Sequence, residues 1–71
     1  MKLSIYKNPR NDHTYSVERK GKKYLIIERD WMGDEFQVMA FYDSQDKAQS
    51  SLDKLADNME WKFCGEAEQD G

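Results

Sequence analysis

Between Phe36 and Met59 the hydrophobic period of the chain changes once. Phe36-Gln37-Val38-Met39-Ala40-Phe41-Tyr42 is apolar at every position but Gln37, the pattern of a central strand covered on both faces. Asp43 and Ser44 follow, and either can accept a hydrogen bond from a first-turn N–H. Beyond them Ala48, Leu52, Leu55, Ala56 and Met59 recur at helical spacing. They predict an amphipathic helix over about residues 44–59, with a stripe wide enough to seat on a sheet. Asp46 places a carboxylate near the positive end of the helix dipole. Lys47, Gln49, Ser50, Asp53, Lys54, Asp57 and Asn58 form the opposite, polar face.

Upstream of Phe36 a period of two prevails. Leu3 and Ile5 alternate with Ser4 and Tyr6, which predicts a first strand with one buried face. Asn8-Pro9-Arg10-Asn11-Asp12 is a turn, because Asn and Asp side chains bond nearby backbone and Pro9 fixes φ. From His13 to Arg19, Tyr15 and Val17 alternate with Thr14, Ser16 and Glu18, a second strand. Lys20-Gly21 suits a tight turn, with Gly21 supplying a positive φ. Lys23 to Arg29 is a third strand, apolar on both parities and so interior to the sheet. Asp30 to Asp34 has the length of an ordinary hairpin loop, but it contains Trp31 and Met32. Glu35 to Tyr42 is the fourth strand. Past the helix, Glu60-Trp61-Lys62-Phe63-Cys64 alternates again, as a short final strand or as an extended segment laying Trp61 and Phe63 over the core. Residues 65–71 hold three acids and no large apolar side chain, and read as a flexible acidic tail.

The order β-β-β-β-α-β predicts a single α+β domain over residues 1–64, an antiparallel sheet of four to five strands with one helix packed on one face. One helix covers one face, whereas strands three and four carry apolar residues on both. The second face is then closed by curling of the sheet, by Trp61 and Phe63 folding over it, or by another chain.

Composition sharpens this picture. Seventy-one residues suffice for one core, and domains of this size usually add disulfides, a metal or a partner surface. With 13% aromatic and 35% charged residues, the chain reads as a folded domain with a very polar surface. Cys64 is the only cysteine and His13 the only histidine, which leaves no intrachain disulfide and too few ligands for a Cys/His metal site. No metal and no cofactor are expected. A lone thiol, with neither an apolar leader nor a bilayer-length apolar run, predicts a cytoplasmic protein.

The net charge of −3 conceals a polarised layout. Residues 1–29 carry eight Lys and Arg against three carboxylates, and residues 30–71 carry three against eleven. Each half can attract opposite charge, or the halves can pair with each other in the fold.

Most enzyme chemistries lack their parts. His13 and Cys64 are the sole nucleophile–base pair of the Cys/His kind, and nothing in their spacing brings them together. Asp53 and Asp57 share a helix face but flank Lys54, the ordinary pattern of a solvated surface. The calcium-binding EF-hand loop is absent. The glycines at 21, 33, 65 and 71 are too scattered to cradle a phosphate. No catalytic residue is assigned, and the expectation is a protein that is not an enzyme.

Nucleic acid is one candidate ligand. Arg19, Lys20, Lys22 and Lys23 gather at one hairpin tip, where phosphate contacts would release counterions. Tyr15 and Tyr24 flank the tip and could stack on bases. Strands followed by a helix, with Phe41-Tyr42-Asp43-Ser44 and Ala48 at the junction, are similar to the three-strands-plus-helix DNA-binding domains of the integrase-arm type. The resemblance spans Tyr15 to Leu55. It implies a sheet laid in the major groove. The acidic second half departs from a long basic footprint.

A protein partner accounts for more of the residues. Trp31 and Met32 occupy a loop tip, where they either tuck back onto the open sheet face or form a contact. The acidic helix face would steer the chain toward a basic surface. Small phage-encoded inhibitors and accessory proteins share this style, being short, acidic and without motifs. The leading expectation is a non-catalytic, protein-binding module of that kind. Trp31, Met32, Met39 and Phe41 would be its apolar contacts, and Asp46, Asp53 and Asp57 its acidic patch. Nucleic-acid binding through residues 19–23 is the alternative, and self-association as a homodimer through the second sheet face is the third reading.

Overall fold

The computed structural model describes residues 2–68, and the side chains of all of these but Lys2, Met39, Ala40, Ala67 and Glu68. Five strands and one helix follow in the order β1 (Lys2–Lys7), β2 (Thr14–Lys20), β3 (Lys23–Arg29), β4 (Glu35–Tyr42), α1 (Gln45–Met59) and β5 (Lys62–Glu68). The strands form one sheet in the order β4-β3-β2-β1-β5, antiparallel throughout. This is the α+β architecture that the hydrophobic pattern predicts.

The helix seals one face. Leu3, Tyr15, Val17 and Ile26 from the sheet meet Ala48 and Leu52 from α1 in a buried cluster, with Tyr6, Tyr24, Val38, Tyr42 and Trp61 packed around it. Val17 lies directly opposite Ile26, and Ile26 opposite Val38, so one pleat ridge from each of three strands faces α1. Leu3 and Tyr6 both reach this cluster although strict alternation would separate them. The β1–β5 ladder is irregular between them, shifting register between Ile5 and Tyr6 with Cys64 as the extra residue on β5.

Both helix ends are closed by specific groups. Ser44 Oγ accepts from the Lys47 N–H at 3.2 Å, satisfying one first-turn donor. At the other end Glu60 takes the left-handed conformation with φ 60°, and the Trp61 N–H returns to the Ala56 carbonyl at 2.9 Å. This reversal places the indole flat on Tyr15, with ring centroids 3.7 Å apart and an interplanar angle of 13°. The last helical turn contains no basic residue. Arg10, from the β1–β2 loop, reaches the Met59 carbonyl at 3.0 Å instead and complements the negative end of the dipole.

Three details differ from the pattern read along the chain. The apolar strand β4 lies at an edge of the sheet, because the chain leaves it into α1 and returns as β5 on the far side, beside β1. Residues 65–68, read as the start of a tail, continue β5, whose ladder with β1 runs to Lys2↔Glu68. Trp61 packs on the helix side of the sheet and leaves the outer face alone.

The outer face has no second layer among the described residues, yet Ile27 on it is only 5% exposed. Long polar side chains close over it. Arg29 Nη2 pairs with Glu18, and with Glu35 Oε2 at 2.7 Å, while Arg29 Nη1 donates to the Ser16 hydroxyl at 3.4 Å. The aliphatic stem of such a side chain covers apolar surface while its head stays in contact with charge and water.

Glu60→Gly tests the helix terminus. A non-glycine residue in the left-handed region costs roughly 1–2 kcal/mol, and glycine is the usual occupant there. The substitution is expected to stabilise the fold by about 1 kcal/mol, raising the melting temperature by roughly 4–8 °C in a thermal denaturation followed by circular dichroism.

Candidate functional site

The β3–β4 connection is the most organised loop that also exposes apolar side chains. Asp30 builds it. Its Oδ1 accepts from the Met32 N–H and from the Asp34 N–H, each at 2.9 Å. Its carbonyl accepts from the Gly33 N–H, and its own N–H donates to the Asp34 carbonyl, each at 3.1 Å. Gly33 adopts φ 88°, a conformation open to glycine at no steric penalty. One carboxylate thus holds the turn, and the turn holds Trp31 and Met32 away from the protein. Trp31 is 79% exposed and Met32 68% exposed. Phe36, opposite Glu28 at the start of β4, is exposed as well. Asp30 and Asp34 flank Trp31 and Met32 in the loop, and Glu35 beyond them is paired with Arg29.

The remaining sequence-predicted contacts do not join this patch. Phe41 lies toward the other end of β4, on the outer face, with Lys23 Nζ 4.8 Å from its ring centroid. The side chain of Met39 lies outside the described residues. Asp46, Asp53 and Asp57 line one flank of α1, on the helix side of the sheet. Asp53 is engaged within the fold, accepting from the Tyr6 hydroxyl at 2.6 Å and from the Gln49 amide at 2.8 Å. The apolar contacts and the acidic helix face expected from the sequence thus lie apart, with Trp31 and Met32 at one end of the sheet, Phe41 toward the other, and the three aspartates on α1.

The basic residues 19–23 form the opposite tip. Lys20 and Lys23 face each other across a two-residue connection whose Gly21 has φ 63°, the glycine-first arrangement of a type II′ turn. Tyr15, expected as a stacking group, is buried. In the DNA-binding domains that the strand–helix junction resembles, the sheet enters the groove. Here the outer sheet face carries Glu18 and Glu35 closed on the single cation of Arg29, a cluster with an excess of negative charge that does not suit a phosphate backbone. Burial opposes the Arg29 charge, but the hydrogen bonds it donates to Glu35 and Glu18 more than reverse this and raise its pKa.

His13 and Cys64 do not meet as a dyad. His13 Nδ1 lies 2.5 Å from Glu28 Oε2, the same oxygen that accepts from the Tyr15 hydroxyl at 2.9 Å. Cys64 is exposed on β5, at the edge beyond β1. The His13–Glu28–Tyr15 cluster ties the start of β2 to the end of β3 and has no nucleophile in its bonding pattern. Among the described residues no group of three or more His, Cys, Asp or Glu is placed to hold a metal ion, and no helix is long and apolar enough to cross a membrane. A shallow depression of about 240 Å³ on α1 is lined by Ser51, Lys54, Leu55 and Asn58, which offer no acid–base pair.

No protein-family model, curated protein or solved structure matches the chain.

Asp30 as organiser and Phe36 as exposed neighbour are absent from the contacts expected from the sequence. Asp30 at the first loop position, two residues before Met32, is the signal that could have found the first, since Asx side chains bond backbone two residues on. Phe36 gave no signal, because its exposure follows from the edge position of β4.

Two phenols record the internal carboxylates. Burial and then the bond to Glu28 raise the Tyr15 pKa, and burial and then the bond to Asp53 raise that of Tyr6, both from the ordinary 10.0. The fold favours the neutral phenols, so their contribution is complete below pH 10 and is lost as pH rises through the folded-state values. Ultraviolet titration of tyrosinate is expected to show both groups ionising above 10, with Tyr6→Phe and Tyr15→Phe each removing late-titrating amplitude. The melting temperature should begin to fall above the same pH.

Proposed function

We propose that the chain is a non-catalytic protein-binding module, of the accessory or inhibitor kind, that docks through the β3–β4 hairpin tip. One observation carries this reading: Trp31 and Met32 are exposed on a loop whose backbone is held by four hydrogen bonds centred on Asp30. Leaving large apolar side chains in water has no folding advantage. Fixing the backbone that carries them lowers the entropy lost on binding. Trp is also enriched among the residues that dominate interface energy, and Met adapts to irregular surfaces. The chemistry of the tip defines its partner. An apolar anchor flanked by Asp30 and Asp34 fits an apolar cleft rimmed by Lys or Arg, where opposite charge speeds encounter and the anchor sets the lifetime.

The double substitution Trp31→Ala/Met32→Ala separates contact from core. Both side chains stand clear of the buried cluster, so the melting temperature should stay within roughly the range of a surface change, ±0.5 kcal/mol. Affinity for a protein captured by the native chain from its own cells should drop by about 30-fold or more, as for a hot spot of 2 kcal/mol. Trp31 emission should shift to the blue when that purified protein is added, in a Trp61→Phe background. A fall of several degrees in melting temperature, or undiminished affinity, would return both side chains to a structural role.

A further inference from the structure

The opposite end of the sheet poses a separate problem of charge. Arg19, Lys20, Lys22 and Lys23 crowd the β2–β3 turn, and Lys20 stands directly opposite Lys23 in the register. Like charges in that position destabilise a hairpin. The chain has 14 carboxylates, yet among the described residues none forms an ion pair with any of these four cations. The carboxylates nearest in the fold are already engaged. Glu18, one residue before Arg19, is paired with Arg29. Asp43, just beyond the Tyr24↔Tyr42 pair, is bound to Lys47 at 3.3 Å. Arg19 Nε donates to the Gly21 carbonyl at 2.9 Å, which stiffens the tip without neutralising it.

An aromatic platform lies beside these cations. Phe41 is 56% exposed, and Lys23 Nζ lies 4.8 Å from the centroid of its ring. A cation over an exposed ring is held weakly, so it can move to a phosphate and open the ring to a base. These groups stand exposed on a hairpin tip and an edge strand. The ligand that matches is extended, regularly anionic and carries flat apolar groups free to unstack.

We infer that the β2–β3 end of the sheet binds single-stranded nucleic acid. Arg19, Lys20 and Lys22 hold consecutive phosphates, and a base stacks on Phe41 as Lys23 turns to the backbone. A duplex fits less well, because its bases are already stacked and the outer sheet face beyond Phe41 is closed by Arg29 with Glu18 and Glu35. This site is independent of the apolar tip, from which it is separated by the length of β3, roughly 20 Å at the usual strand rise.

Fluorescence anisotropy of the full chain with a labelled oligothymidylate tests the inference, with the matching duplex and heparin as competing polyanions. Binding is expected to weaken linearly in log salt with a slope of about −2 to −3, since each phosphate contact contributes about −0.7. Lys20→Gln and Lys22→Gln should each lower the magnitude of the slope by about 0.7. Phe41→Ala should weaken binding about tenfold at every salt concentration and leave the slope unchanged, and Phe41→Trp should restore it. All of these side chains are exposed, and unchanged melting curves confirm that the variants are folded. The inference is overturned by absence of binding at low salt. It is equally overturned if heparin or duplex competes as well as the single strand while Phe41→Ala has no effect, which would make the tip a general polyanion patch. Salt-sensitive self-association in sedimentation, abolished by the same lysine substitutions, would instead assign the tip to the acidic hairpin of a second copy.

Discussion

Leu52, between Ala48 and Ala56 on α1, is the contact on which the rest of this small fold depends. All three are buried, and Leu52 shares one buried cluster with Leu3, Val17 and Ile26. These sheet residues come from three adjacent strands, so one helical side chain organises β1, β2 and β3 together. With a core of this size, stability rests on how completely that helix–sheet contact excludes water, because few other apolar groups are buried. The closures at Ser44, Glu60 and Arg10 serve the same contact by setting the limits of the helix that delivers it.

The sheet's other face shows a different solution to the same shortage of chain. There is no second layer among the described residues to cover Ile27, and an ion cluster of Arg29, Glu18 and Glu35 lies over it instead. Arg29 is suited to this because its planar head can engage two carboxylates and a hydroxyl while its stem stays on the sheet. The consequence for function is subtractive. A face closed in this way is a poor docking surface, and the large exposed apolar groups among the described residues stand at the periphery: Trp31 and Met32 at one turn, Phe36 on edge strand β4, Phe41 near its far end, Met59 at the end of α1 and Phe63 on edge strand β5.

An antiparallel meander puts successive turns at alternate ends of the sheet. That geometry converts the charge asymmetry of the chain into two poles. The basic residues 19–23 close β2–β3, and Asp30 and Asp34 frame β3–β4, with the whole of β3 between them. Opposite charges that are near neighbours in the chain are thereby kept from neutralising each other. Each pole also pairs its charge with exposed apolar surface, Phe41 at the basic end and Trp31 with Met32 at the acidic end. The two proposed binding activities follow from this separation: a protein cleft at the acidic tip, and a nucleic-acid strand at the basic one.

The alternation of Tyr15 and Val17, the run Leu25–Ile27 and the helical recurrence of Ala48, Leu52 and Ala56 are periodicities of the local chain. They determined the strands, the helix, its seat on one face and the two hairpin tips, because side-chain direction repeats with backbone geometry wherever an element forms. Ser44 as cap and Gly21 as turn residue were legible for the same reason, since each acts on its own neighbours. Other features required the assembled sheet. That β4 is an edge, that β5 extends to Glu68 beside β1, and that Trp61 stacks on Tyr15 depend on where α1 lets the chain return. Glu28 joins His13 and Tyr15, and Arg29 joins Glu18 and Glu35, only through a register set by many backbone hydrogen bonds at once. The predicted contacts divided for a related reason. Their residue types recorded which side chains favour binding, but only the packing of strands and helix decided which of them share a surface.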